Sequence, residues 1–316
     1  MNRSAESDLK CRVPRENAET AVCEWWQTSD GVEHFVRGWV TSTEGPVCLY
    51  LHGIEGHSRW IEETALALNS RGISLYALDR RGAGASKEFK GHIRDYKRMV
   101  QDVRELVAIL RTRHPGRGLV LLGNCWGAKI ALTVAAELEE SGAVQALVLT
   151  SPAVSVKVDV KPIDKLLVGI NYLFGTKKYF DIPLVPEHFT DNPVYLKYIE
   201  DDQLRLQHVT ASFFVQSLML TRSCKKASRK LTLPILVLQA GQDKIVRVEH
   251  VQQWFETVPS RDKTLKIFDC AAHSLDFDQD PSEYQNELGS WITNRVKPIA
   301  ASENNPFNMQ TSRSHQ

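Results

Sequence analysis

The segment Gly123-Asn124-Cys125-Trp126-Gly127 sets a cysteine between two glycines. It follows the apolar run Leu119-Val120-Leu121-Leu122 and opens a helical pattern at Ile130, Ala131, Val134, Ala135 and Leu138. That spacing reads as strand, sharp turn, helix, with a nucleophile at the turn. The glycines allow a tight turn and close packing where a side chain would clash. Residue 125 is then lifted above the sheet at the positive end of a helix, where a thiolate is stabilised. A buried structural cysteine on a Gly-rich turn is the plainer alternative. Two later segments argue against it. Leu236 to Asp243 is a strand that ends in an acidic loop residue, and Lys266 to His273 is a strand that ends in a loop histidine. The order is nucleophile, acid, base. Cys125 would attack, His273 would take its proton or pair with it as imidazolium, and Asp243 would set the tautomer of His273. Asp269 and Asp276 compete for the acid role, and His273 is one of ten histidines.

An anionic intermediate needs donors. Leu51-His52-Gly53-Ile54-Glu55-Gly56-His57-Ser58 follows the first long apolar run. A loop there can turn a backbone N–H toward the substrate oxygen, and the residue after the nucleophile supplies a second. Ile54 and Trp126 are the candidates, both through backbone. His52 and His57 are expected to be hydrogen-bonded loop residues, because His273 already fills the acid–base role.

Six short apolar runs must carry these loops: 47–51, 73–78, 119–122, 146–149, 235–238 and 265–268. Their near-continuous apolarity is what strands buried on both faces require. Tyr96, Met99, Val100, Val103, Leu106, Val107 and Leu110 mark a helix with one apolar face. Strands alternating with helices predict an α/β fold, a mainly parallel sheet covered on both faces. Residues 24–27 and 34–40 flank Ser29-Asp30-Gly31 and read as an antiparallel hairpin at a sheet edge. The rhythm breaks after Leu149. Residues 155–230 show helical stretches, 166–174 and 208–220, and no comparable strand run, so they form a candidate helical cap insertion. Its apolar surfaces are Leu166, Leu167, Ile170, Tyr172, Leu173 and Phe174, then Phe213, Phe214, Leu218 and Met219. The expected division is a loose segment 1–20, a core of 21–154 and 231–297, the insertion 155–230, and a disordered tail 298–316.

With 316 residues, 42% hydrophobic, the chain can bury a full core. A net charge of +1 leaves no global excess to hold a nucleic-acid backbone. No apolar run reaches the roughly 20 residues of a membrane span. Six cysteines without a Cys-x-x-Cys pair do not make a disulfide scaffold, and the polar N-terminus lacks a secretory signal pattern, so a reducing, cytoplasmic setting is expected. Cys48 should be a small buried hydrophobe. No Cys/His spacing suggests a metal, and no cofactor is implied. Arg80-Arg81-Gly82-Ala83-Gly84-Ala85-Ser86 lacks the remaining residues of a phosphate or dinucleotide loop and reads as a loop with Ser86 capping. Lys225, Lys226, Arg229 and Lys230 read as a solvated face that could meet an anionic carrier.

Taken together, residues 52–58, Leu78-Asp79-Arg80-Arg81-Gly82-Ala83-Gly84-Ala85-Ser86, the Cys125 turn, Leu149-Thr150-Ser151-Pro152-Ala153 and the Asp243 and His273 segments resemble the monoacylglycerol lipase/lysophospholipase (serine aminopeptidase S33-like) branch of the α/β-hydrolases. The resemblance covers about residues 45–295. It implies the α/β-hydrolase fold, a cap between the sixth and seventh core strands, and hydrolysis of acyl esters. That branch usually carries serine where this chain has Cys125; cysteine there resembles dienelactone hydrolases and polyhydroxyalkanoate synthases. The expected activity is hydrolysis of a small apolar acyl ester or thioester, the latter deliverable on a thioester carrier. The same acyl-cysteine could instead pass to another acceptor if water is excluded. A ligand-binding homologue without turnover is the third reading.

Overall fold

A computed structural model describes residues 21–86, 90–158 and 162–299. The expected loose segment 1–20 and nearly all of the expected tail from 298 lie outside them. β1 (Val22–Gln27) and β2 (Glu33–Trp39) form the edge hairpin. Then come β3 (Val47–Leu51), α1 (Glu62–Asn69), β4 (Ser74–Leu78), α2 (Tyr96–Arg113), β5 (Leu119–Asn124), α3 (Gly127–Leu138) and β6 (Ala146–Thr150). After a long excursion the chain resumes with β9 (Ile235–Ala240), α7 (Val248–Glu256), β10 (Lys263–Phe268) and α8 (Ser282–Arg295). The sheet order is β1-β2-β4-β3-β5-β6-β9-β10, parallel from β4 to β10. This is the α/β-hydrolase fold.

Every residue of β3, β4, β6 and β9 is buried, which is why these runs show no polar alternation. Alternate side chains enter two layers. Leu49, Leu51, Leu121, Leu149 and Val237 pack under α2, α3 and α7. Cys48, Tyr50, Val120, Leu122 and Val148 pack under α1 and α8. The Asp95 carboxylate caps α2 by accepting from the Lys97 N–H at 2.9 Å. Edge strand β10 is half-exposed, and its Lys263 donates to the last carbonyls of α7.

The excursion between β6 and β9 differs in detail from the expectation. It holds α4 (Pro162–Leu173), β7 (Tyr179–Asp181), α5 (Pro193–Asp201), β8 (His208–Thr210) and α6 (Ala211–Ser228). Residues 208–210 are therefore strand, paired with β7, and the helix begins at Ala211. Thr210 ends the strand and caps the helix, accepting from the Phe213 N–H. In α4 only Val168 is buried, while Leu166, Ile170, Leu173 and the following Phe174 are exposed. In α6 Phe213, Leu220 and Cys224 are core, while Leu218 and Met219 are exposed.

Candidate active site

The strand order reverses at β3. The chain steps from β3 to β4 on one side and returns to β5 on the other. Loops leaving the carboxyl ends at such a switch point diverge and leave a crevice. Leu51 pairs with Gly123, so the loop 52–57 and the turn at 124–126 emerge side by side. Phe268 pairs with Ala240, which does the same for the loops carrying His273 and Asp243.

The turn is tight. Cys125 has φ +47°, the left-handed region that costs a side-chain-bearing residue strain. Both glycines of the motif are sterically required. A Cβ on Gly123 would lie 2.6 Å from the Ala128 Cα, and one on Gly127 would lie 2.2 Å from the Leu51 carbonyl oxygen. The Cys125 N–H donates to Thr150 O at 2.9 Å, and its carbonyl accepts from Ala153 N at 3.0 Å. Ser151, also left-handed at φ +40°, donates its hydroxyl to the His273 carbonyl at 2.8 Å, tying the histidine loop to the turn.

His273 and Asp243 meet. The Nδ1–H of His273 donates to Asp243 Oδ2 at 2.7 Å, and both side chains are buried. Asp243 Oδ1 accepts from the Ile245 and Val246 N–H groups, each at 2.8 Å, and Oδ2 also accepts from Gln239 Nε2 at 3.0 Å. Burial alone would raise the Asp243 carboxyl; His273 and the two amides outweigh it and hold it below the usual aspartate value. Burial alone would lower His273; Asp243 and then Cys125 outweigh it and push the imidazole up to about 10. Among the described residues its Nε2 has no hydrogen-bond partner, with the Cys125 sulfur near enough to raise the ring's pKa. The other acid candidates lie elsewhere: Asp269 is exposed, and Asp276 accepts from Thr64 Oγ1 at 2.6 Å under α1.

Ile54 is beside the turn. A Cβ on the preceding Gly53 would stand 3.4 Å from the Cys125 Cβ. Among the described residues neither the Ile54 nor the Trp126 N–H is spent on a loop or side-chain acceptor. His52 and His57 are hydrogen-bonded loop residues. His52 Nε2 accepts from the Arg80 N–H at 3.2 Å, and His57 donates from Nε2 to Asp202 at 2.8 Å. Loop 79–86 is ordered by Asp79, whose oxygens accept from the Ser58 N–H at 2.6 Å and the Ala85 N–H at 2.7 Å. Ser86, expected as a cap, has a hydroxyl without a partner among the described residues.

The excursion touches each of these loops. Phe189 lies edge-on to His273 with ring centroids 6.0 Å apart, and its carbonyl accepts from Ser274 N. Phe213 stacks on Trp126 at 5.5 Å, and Arg205 pairs with buried Glu55 at 2.6 Å. Three buried polar residues escaped the sequence reading. Gln239 holds the acid, Arg80 lies against Trp126, and Lys129 is buried one turn into α3. Gln239 and Lys129 each had a signal, a polar residue in an otherwise apolar strand or helix, whereas Arg80 had none.

Comparison with known proteins agrees with this fold. The family model described as serine aminopeptidase, S33 matches residues 43–280. The chain is 27% identical over 271 residues to a monoacylglycerol lipase of Mycolicibacterium smegmatis, covering 84% of this chain and 95% of that one. It is 27% identical over 275 residues to the human monoglyceride lipase, covering 85% and 89%. Among solved structures, the Paleococcus ferrophilus monoacylglycerol lipase superposes with a TM-score of 0.73 at 20% identity, covering 83% of this chain and 99% of that one. A soluble variant of the Saccharomyces cerevisiae monoglyceride lipase superposes with a TM-score of 0.77 at 16% identity, covering 90% and 98%. No helix among the described residues is long and apolar enough to cross a membrane. With the fold, the switch-point crevice and three-quarters of its length matched, the chain belongs to the serine aminopeptidase S33 family, as an α/β-hydrolase of the lipase and esterase type.

Proposed function

We propose that the chain hydrolyses acyl esters or thioesters through a Cys125–His273–Asp243 triad and an acyl-thioester intermediate. The observation that carries this reading is the buried 2.7 Å His273–Asp243 pair, its second ring nitrogen unspent, beside a strained Cys125. Cys125 and His273 react as thiolate and imidazolium. The sulfur bonds to the acyl carbon, and the N–H groups of Ile54 and Trp126 receive the oxyanion. The carbon–oxygen bond to the alcohol breaks as His273 Nε2 hands over its proton. Water then gives a proton to His273 and attacks the thioester, the carbon–sulfur bond breaks, and the acid leaves.

Residues 155–230 act as a cap over this site in the proposed scheme, with the remainder of residues 21–297 as its core. Phe189 and Phe213, set against His273 and Trp126, give the entrance an apolar wall. Similarity to proteins named monoacylglycerol lipases supports an acyl ester with an apolar chain as substrate. The test is incubation with chromogenic acyl esters and acyl-thioesters of increasing chain length, following free acid and the mass of Cys125. Turnover with kcat/KM rising and then falling with chain length is the expected outcome. Absence of acylation at Cys125 during turnover defeats the triad, and a flat chain-length profile removes the cap from recognition. An acyl-enzyme that only an added acceptor discharges replaces hydrolysis by acyl transfer.

A further inference from the structure

Two adjacent arginines leave β4 and meet opposite fates. Arg81 is paired, donating to both oxygens of Asp102 at 2.8 and 2.9 Å and to Asp30 at 2.9 Å. Arg80 is 5% exposed and no carboxylate among the described residues ion-pairs with it. Asp79, the neighbouring acid, spends its oxygens on the Ser58 and Ala85 amides. One Arg80 nitrogen, Nη2, donates to the Ile54 carbonyl. Nε and Nη1 are buried without partners among the described residues. The guanidinium carbon lies 4.8 Å from the Trp126 ring centroid and 5.6 Å from that of Phe213.

Buried unpaired donors on a cation are costly, and a folded chain keeps them where something fills them in function. Arg80 touches both candidate oxyanion residues, the carbonyl of Ile54 and the ring of Trp126. Ile54 follows the glycine that abuts Cys125, and Trp126 follows Cys125 itself. Burial presses the Arg80 pKa down to about 9, which leaves it cationic at neutral pH. A guanidinium whose Nε and Nη1 N–H groups are unspent suits an oxyanion better than any neutral acceptor.

We infer that Arg80 is a specificity-determining residue that receives a carboxylate borne on the acyl group within a few bonds of the scissile carbonyl. The acyl group is then amphiphilic, with its anion at Arg80 and its apolar part against the aromatic wall. This rests on the reading of Cys125 as nucleophile.

Alkylation of Cys125 tests it without turnover. The rates with iodoacetate and with neutral iodoacetamide are measured by peptide mass, and their ratio is compared with that of free cysteine. In the unaltered protein the ratio should exceed that of free cysteine by about tenfold or more, the effect of one charge-assisted hydrogen bond. The His273 imidazolium also attracts an anion, so variants assign the effect. Arg80→Gln and Arg80→Met should lose most of the excess, with the iodoacetamide rate changed by less than about threefold. Arg80→Lys should keep part of it. A ratio equal to that of free cysteine overturns the inference even if every variant fails to fold. An excess unchanged in folded Arg80→Gln also overturns it, and Arg80's free donors are then met by water alone. If neither reagent modifies Cys125, the nucleophile reading itself falls.

Discussion

Cys125 is held in a backbone conformation that glycine would adopt at lower cost, yet it carries a side chain. Strain of about 1–3 kcal/mol is kept where a side chain must project from a turn. Cys48 and Cys224 are a contrast: burial pushes both thiols up to about 12, so they stay protonated and slow to react. Alkylation at neutral pH should therefore reach Cys125 before Cys48 and Cys224, and labelling of either at the same rate would contradict its role. Cys125→Ala should abolish turnover, while Cys125→Ser retains some hydrolysis, since the same oxyanion donors and His273 serve an alkoxide. The His273 imidazolium depends on Asp243. Asp243→Asn should lower the His273 pKa, read by nuclear magnetic resonance titration of the imidazole. Its kcat should fall by about 10⁴-fold, as expected when the tautomer is mis-set. An unchanged His273 titration in that variant would show that Asp243 does not hold the ring.

At the scale of elements, the excursion and the loop 52–57 are joined by buried polar ties. Arg205 pairs with Glu55, Asp202 accepts from His57 and from Trp60 Nε1, and Leu206 N donates to Glu55 O at 3.0 Å. Removing Arg205 leaves Glu55 buried and unpaired. Arg205→Leu should cost about 1–3 kcal/mol, the penalty of a buried carboxyl that loses its donor, read as a lowered denaturation midpoint. It should also lower kcat through displacement of Ile54. A variant of unchanged stability and kcat would show that the tie positions nothing. These ties join residues about 150 apart and had no local signature. The strands did have one, because burial on both faces leaves them apolar throughout. The Cys125 turn was legible for a related reason: its two glycines are demanded by backbone packing against Ala128 and Leu51, which a strand–helix pattern implies. The span 208–210 misread as helix because its strand character comes from distant partners. Thr210 N donates to Gly91 O at 2.9 Å, and β8 pairs with β7. Arg80 was similarly opaque, since residues 54, 126 and 213 together make its surroundings.

Across the whole molecule, Glu55, Asp276 and His273 are buried groups that hold protons within the range from about pH 4 to 10 which the unfolded chain would release at lower pH. Burial raises Glu55 to about 7, against the opposing pull of Arg205, and raises Asp276 to about 7, against Thr64 and Tyr284. In His273 burial opposes the rise, but Asp243 and Cys125 carry it to about 10. A group with a raised folded pKa contributes stability below its unfolded value and loses it as pH rises through the folded value. Glu55 and Asp276 therefore lose their contribution between about pH 4 and 7, and His273 between about 6.5 and 10. Asp102, Asp202 and Asp243 work in the other direction. Burial raises each, but His34 and Arg81, His57 and Trp60, and His273 respectively hold them below the ordinary aspartate value. Their contribution is present above about pH 4 and is lost only in stronger acid. Burial holds His52 well below the usual histidine value and lowers His114 to about 4, so both cost stability as pH falls below about 6.5 and offset Glu55 and Asp276. The melting temperature should change little between about pH 5 and 7 and decline toward pH 9. Asp276→Asn mimics the protonated carboxyl, so it should match the unaltered protein near pH 5 and exceed it above pH 7 by about 5 °C. A melting temperature that rises from pH 5 to 9, or an Asp276→Asn curve parallel to the unaltered one, would mean that these carboxyls are ionised in the fold.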